Sequence, residues 1–204
     1  MNGSNVSELD GLIARARSGD REVLNQLITY YRPYLKVLAR LQKDLRLQSK
    51  LDDSDLVQEA SALAIADFPG FLGDTERELT GWLRTLMARV AAQSFRHHTA
   101  QRRDVGLERS LQQAFDASSQ MLSTRLVAPG LSPSEQAIKR ERAVLVAEVL
   151  EQLPEHYREV IILRDFEGLK LSEVATRMQR SEDSVRKIWA RAMVDIRKLL
   201  KVKI

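Results

Sequence analysis

Apolar residues recur at intervals of three and four along most of this chain, in blocks parted by short polar breaks, with no alternating apolar and polar pattern between them. That period puts an apolar stripe on each of a series of helices and leaves no sheet to organise the fold. Leu12, Ile13, Leu24, Leu27, Ile28, Leu35, Leu38 and Leu41 mark a first block over about residues 8–46, broken near Ser18-Gly19-Asp20. Pro33 lies inside this block, at a kink or near a turn. Asp52-Asp53-Ser54 offers capping side chains for a helix from Asp55 to about Asp67, which Phe68-Pro69-Gly70 stops. Leu79, Leu83, Leu86 and Val90 mark one face of a long helix over 77–103. Residues 104–133, rich in Ser and Gln and ending in Pro129-Gly130 and Ser132-Pro133, read as a linker with at most one marginal helix near 107–121. Further helices are expected at about 134–152, 155–166, 171–178 and 182–200. The fold expected is all-α: two small helical domains, 1–103 and 134–204, joined by a flexible linker over 104–133.

Composition narrows the function. Without cysteine there is no disulfide framework, thiolate nucleophile or Cys-type zinc site. No run approaches the roughly 18 apolar residues of a membrane span, and the polar start, with Glu8 and Asp10, is unlike a signal peptide. A cytoplasmic protein with no membrane insertion is expected. The net charge is only +4, but its distribution is uneven. Residues 52–78 hold eight acids against Arg77, residues 83–103 hold five arginines and no acid, and residues 184–204 hold seven bases against Asp195.

The C-terminal block has the offsets of a helix-turn-helix. Counting from Leu171, residues Val174, Ala175, Met178, Val185 and Ile188 fall at the fourth, fifth, eighth, fifteenth and eighteenth places, and Ala175 is small where the two helices must touch. Ser181 is a natural cap for the second helix. That helix would turn Val185, Ile188, Trp189, Ala192 and Ile196 inward and Ser184, Arg186, Lys187 and Arg191 outward, a basic face suited to a major groove. Gln179 stands where the turn usually has glycine, and Glu182-Asp183 at the tip would repel phosphate.

Two further patterns lie earlier in the chain. Asp55, Gln58 and Glu59 share one helical face; acids in a first turn also favour the helix dipole on their own account. Trp82, Arg89, Arg96 and Arg103 recur every seven residues, and arginines with an aromatic suit phosphates and unpaired bases. Trp82 equally suits a core beside Leu79 and Leu83, and the arginines a solvated face. His97 and His98 lack a third ligand at metal spacing, so neither a metal nor a cofactor is expected.

Taken together, D-L-V-Q-E at 55–59, G-W-L-R at 81–84, L-P-E-H-Y-R-E-V-I-I-L-R-D-F-E-G-L at 153–169 and L-S-E-V-A at 171–175 resemble, in this order and spacing, the extracytoplasmic-function (ECF) subgroup of bacterial RNA polymerase sigma factors. D-F-P-G-F and S-V-R-K-I-W-A-R-A are similar to a planctomycete lineage of that group. The resemblance implies a non-enzymatic subunit that binds core RNA polymerase and directs initiation at promoters. It implies that Asp55, Gln58 and Glu59, with Leu56 and Val57 supporting their helix, meet the β′ clamp. It assigns Trp82, Arg89, Arg96, His97 and Arg103 to the −10 element, which is melted, and the loop from Pro69 to Thr80 to a flipped base. Ser184, Arg186, Lys187 and Arg191 would read the duplex −35 element. An apolar surface near Val160, Ile161 and Leu163 would meet the β flap, the linker would thread toward the RNA exit path, and an anti-sigma factor is a further partner of the kind this family has. The rival reading, a stand-alone helix-turn-helix regulator, accounts for residues 134–204 but gives no reason for D-L-V-Q-E or the Trp82 stripe.

Overall fold

The computed structural model describes residues 3–42, 52–99, 105–125 and 138–203. Among these residues the fold is all helical: α1 (Gly3–Arg17), α2 (Arg21–Leu41), α3 (Asp53–Asp67), a 3₁₀ turn (Phe68–Gly70), α4 (Glu76–Thr99), α5 (Val105–Arg125), α6 (Ile138–Gln152), α7 (Glu155–Ile161), a π-helical turn (Ile162–Phe166), α8 (Leu171–Arg177) and α9 (Glu182–Lys203). None of these helices is long and apolar enough to cross a membrane. The chain forms two compact units, Met1–Gln120 and Met121–Ile204, so the division falls within α5.

In the first unit α2 is the central helix. The Asp20 carboxylate caps it by accepting from the Val23 N–H at 3.1 Å. The helix runs unbroken through Pro33. Proline inside a helix costs about 3 kcal/mol, but Tyr31, Tyr34, Leu35 and Leu38 are each at most 1% exposed. At about 1.5–3 kcal/mol per large buried side chain, that face outweighs the proline. α3 and α4 pack closely, with the small residues Ala60 and Ala64 of α3 and Ala88, Ala91 and Ala92 of α4 all buried.

The stretch read as a linker holds a helix of 21 residues rather than a marginal one. The part of α5 in the first unit buries Leu111 and Phe115 and makes a polar seam with α2 and α4. Tyr34 donates to Ser119 Oγ at 2.8 Å, and Gln42 Nε2 donates to Ser118 Oγ at 2.6 Å and to the Ala114 carbonyl at 3.1 Å. Arg84 donates to Asp116 at 2.5 Å and to Tyr34 Oη at 2.9 Å. Serine is a weak helix former because it competes for backbone hydrogen bonds, but here buried partners occupy its hydroxyls.

In the second unit α6, α7 and α8 all pack against α9. Val160 and Ile161 are fully buried and Leu163 is 7% exposed, so the apolar surface expected there is core. After the π-helical turn, Gly168 at φ +75° turns the chain toward α8, a conformation glycine adopts without strain. Glu173 accepts from the Lys170 N–H at 2.7 Å, satisfying a free donor at the start of α8.

Candidate nucleic-acid and polymerase interface

α3 starts at Asp53 because Asp52 caps it, accepting from the Ser54 N–H at 2.8 Å. Its two sides are sharply different. Leu56 and Val57 are 5% and 1% exposed, so they seat the helix and do not reach a partner. Asp55, Gln58 and Glu59 are exposed on the other side. The result is a rigid helix with an acidic outer first turn.

α4 is anchored at its start by a capping box that T-x-x-E at 75–78 encodes. Thr75 Oγ1 accepts from the Glu78 N–H at 3.3 Å, while Glu78 Oε2 accepts from the N–H groups of Asp74 and Thr75 at 3.0 and 3.1 Å and from the Thr75 hydroxyl at 2.7 Å. Those bonds, the Thr75 hydroxyl first, hold the Glu78 carboxyl below its ordinary pKa. Asp10 of α1 adds a bond from the Glu76 N–H at 3.2 Å.

Trp82 is half-buried in an aromatic cluster, its ring 5.9 Å from Phe68 and 5.1 Å from Phe71. Gly73 lets the loop close over this cluster, since a Cβ there would lie 2.5 Å from the Phe71 ring. Leu72 in the same loop is 81% exposed. Arg89 is exposed and paired with Asp67 at 3.2 Å. Such a surface pair is worth at most about 1 kcal/mol, so Arg89 can exchange it for a phosphate. Arg96 and His97 continue the same helix toward its end, but Arg103 lies outside the described residues. Arg84, one of the five arginines in the basic run, is not available to DNA in this arrangement: its side chain is 15% exposed and tied to Asp116 and Tyr34.

In the second unit α8 and α9 form the helix-turn-helix. Gln179 takes φ +51°, the left-handed turn conformation, and the Arg180 N–H bonds back to the Ala175 carbonyl at 3.0 Å. Gln179→Gly should stabilise this unit by about 0.5 kcal/mol, as relief of about 1 kcal/mol of strain is partly offset by greater freedom in the unfolded chain. Slower amide exchange across α8 and α9 would register it; unchanged exchange would show that the turn is unstrained.

The Ser181 hydroxyl caps α9, accepting from the Ser184 N–H at 3.3 Å. Val185, Ile188, Ala192 and Ile196 are buried; Arg186, Lys187 and Arg191 are exposed and Ser184 is half-buried. Glu182 and Asp183 do more than oppose phosphate. They accept from Arg186 at 3.3 and 3.1 Å, so the acidic tip engages one of the basic groups expected to read DNA. Trp189 is half-buried and its Nε1–H donates to Asp165 at 2.8 Å. Burial pushes the Asp165 carboxyl above its ordinary pKa, with the Trp189 bond and the charges of Arg164 and Arg125 opposing that rise. Spacing along the chain gives no sign of this pairing, because the partners are 24 residues apart.

Residues 143–196, from the core of α6 through most of α9, match the family described as Sigma-70, region 4. Over 185 residues the chain is 29% identical to ECF RNA polymerase sigma factor SigD of Mycobacterium tuberculosis, covering 91% of this chain and 80% of that protein. It is 26% identical over 196 residues to the RNA polymerase sigma-H factor of Pseudomonas aeruginosa, covering 93% and 92% of the two chains. The solved structure of CnrH in complex with the cytosolic domain of CnrY aligns over 96% of this chain and 98% of that one, at 22% identity and a TM-score of 0.34. The region 4 match thus falls on the helix-turn-helix, and the similarity to RNA polymerase sigma factors, those of the ECF group among them, runs through both units of the chain.

Proposed function

We propose that three helix faces divide the work of a promoter-specificity subunit, and that the chain itself performs no chemistry. Asp55, Gln58 and Glu59 on α3 dock on the clamp of the polymerase β′ subunit. Trp82, Arg89, Arg96 and His97 on α4, with Arg103 beyond it, engage the −10 element as it opens, arginines following phosphates while the aromatic group meets an unstacked base. Ser184, Arg186, Lys187 and Arg191 read the −35 duplex from the major groove. By function, residues 1–103 carry the groups for core binding and the −10 element, 134–204 those for the −35 element, and 104–133 connect the two sets. The work is cytoplasmic, alongside the polymerase.

The single observation that carries this reading is the sorting of α9. Within the segment that matches region 4, apolar residues are buried while Arg186, Lys187 and Arg191 face solvent. The test is transcription in vitro by core polymerase, with and without the chain, on a genomic promoter library. Transcripts that start at a shared upstream pattern only when the chain is present are the expected result. The same transcripts without it, or DNA binding that proceeds without the polymerase, would overturn the reading.

A further inference from the structure

Trp189 lies at the edge between the buried and exposed faces of α9. On one side are Val185, Ile188 and Ala192; on the other are Arg186, Lys187 and Arg191. Two consecutive residues of the π-helical turn grip its indole. Asp165 Oδ2 accepts from Nε1–H at 2.8 Å, and the Arg164 guanidinium carbon stands 3.6 Å from the ring centroid. Arg164 Nη1 is buried without a hydrogen-bond partner, which leaves the indole face as a principal contact of that guanidinium.

The turn that carries the grip has a local cause. The Glu167 N–H bonds to the Ile162 carbonyl at 2.9 Å, an i to i−5 bond. A turn that wide brings successive side chains closer in direction than the about 100° of an α-helix, so neighbours can hold two parts of one ring. Arg125 braces the turn by donating to the carbonyls of Asp165 and Phe166.

Apolar packing holds α9 against the unit but has little directional preference. A hydrogen bond and a cation over a ring do have one. Direction matters here because a roll of about 10° moves a side-chain tip about 6 Å from the helix axis by about 1 Å. That is enough to misalign a hydrogen bond to a base edge.

We propose that Asp165 and Arg164 are positioning residues for promoter reading: by gripping Trp189 they set the roll of α9 and so the alignment of Ser184, Arg186, Lys187 and Arg191 with the major groove. The inference rests on α9 being the −35 reader. It assigns Trp189 to an internal role rather than to contact with bases.

The test uses the full chain bound to core polymerase. The wild-type holoenzyme selects duplexes from a library randomised in the upstream promoter half, and the affinity ratio of a selected to a shuffled duplex is then measured for variants. Asp165→Ala and Trp189→Phe should each lower that ratio about tenfold, and the double variant should lower it no further. Asp165→Asn, which keeps an acceptor for the indole, should restore it. Affinity for core polymerase should not change in any of them. Unchanged ratios in the Ala and Phe variants would overturn the proposal, as would equal losses on both duplexes accompanied by a lower unfolding temperature. Indole N–H exchange in the wild-type chain gives a second reading: slow exchange at Trp189 that becomes fast in Asp165→Ala is expected, and fast exchange in the wild type would overturn the grip. A wild-type holoenzyme that selects no upstream sequence would instead overturn the −35 assignment on which the proposal stands.

Discussion

Arg158→Ala should cost the second unit about 3 kcal/mol. α6 ends at Gln152, and Pro154 prevents its continuation, so its last carbonyls need partners from elsewhere. Arg158 supplies them. Its Nε donates to the Leu150 carbonyl at 2.9 Å, and its Nη2 to the carbonyls of Glu151 and Leu153, both at 3.1 Å. Its Nη1 donates to the Glu151 carboxylate at 2.8 Å. The two side chains of that ion pair are only 13% and 16% exposed, so truncation would take a charged donor from carbonyls and from a carboxylate that have little access to water. Hydrogen exchange is the suitable measurement, because it reports on this unit separately from the first. Peptides from α6 and α9 should open about 100-fold more often, since 1.4 kcal/mol is about tenfold. Arg158→Lys should recover less than half of the loss, because an ammonium lacks the planar fork that reaches several carbonyls at once. Wild-type exchange in the alanine variant would show that the bonds contribute nothing net.

Glu59→Lys should weaken binding to core polymerase at least about 30-fold while leaving the fold intact. Glu59 is exposed and shares its face with Asp55 and Gln58, whereas the helix is held by Leu56, Val57 and Ala60 on the opposite side. A surface substitution of this kind shifts stability by no more than about 0.5 kcal/mol. Reversing a charge at a docking surface that uses it costs about 2–5 kcal/mol. Size-exclusion with core polymerase would read the loss, and the unfolding temperature would serve as the control. A variant that still co-elutes with the polymerase and directs promoter-dependent transcription would remove α3 from the clamp interface.

The contrast between these two sites shows what a sequence makes legible. The start of α3 was readable because its determinants are local: Asp52 caps within two residues, and Phe68-Pro69-Gly70 ends the helix where it stands. The two faces of α9 were readable for the same reason, since helical period sorts Val185 and Ile188 from Arg186 and Lys187. The charge of Arg84 was not. In the sequence it belongs to an unopposed basic run, but its counter-ion is Asp116, 32 residues away, in a stretch whose serines and glutamines suggest a linker. The length of α5 was obscured likewise, because the partners of Ser119 and Ser118 are Tyr34 of α2 and Gln42 just past its end. Val160, Ile161 and Leu163 form part of an apolar run with no sign of which residues face inward, and all three belong to the core. The π-helical turn, which brings Arg164 and Asp165 together on Trp189, has no local signature in the composition of I-L-R-D-F.

The seam between α5 and its neighbours also sets where the first unit can be cut. A gene fragment that stops at residue 103 would remove Leu111 and Phe115 from the packing and leave Tyr34, Gln42 and Arg84 facing places where Ser119, Ser118 and Asp116 had been. One that runs through Gln120 keeps every one of those partners. The shortest version of this unit worth expressing alone is therefore longer than its recognisable sequence motifs, and the extra length is the part whose composition looks most dispensable.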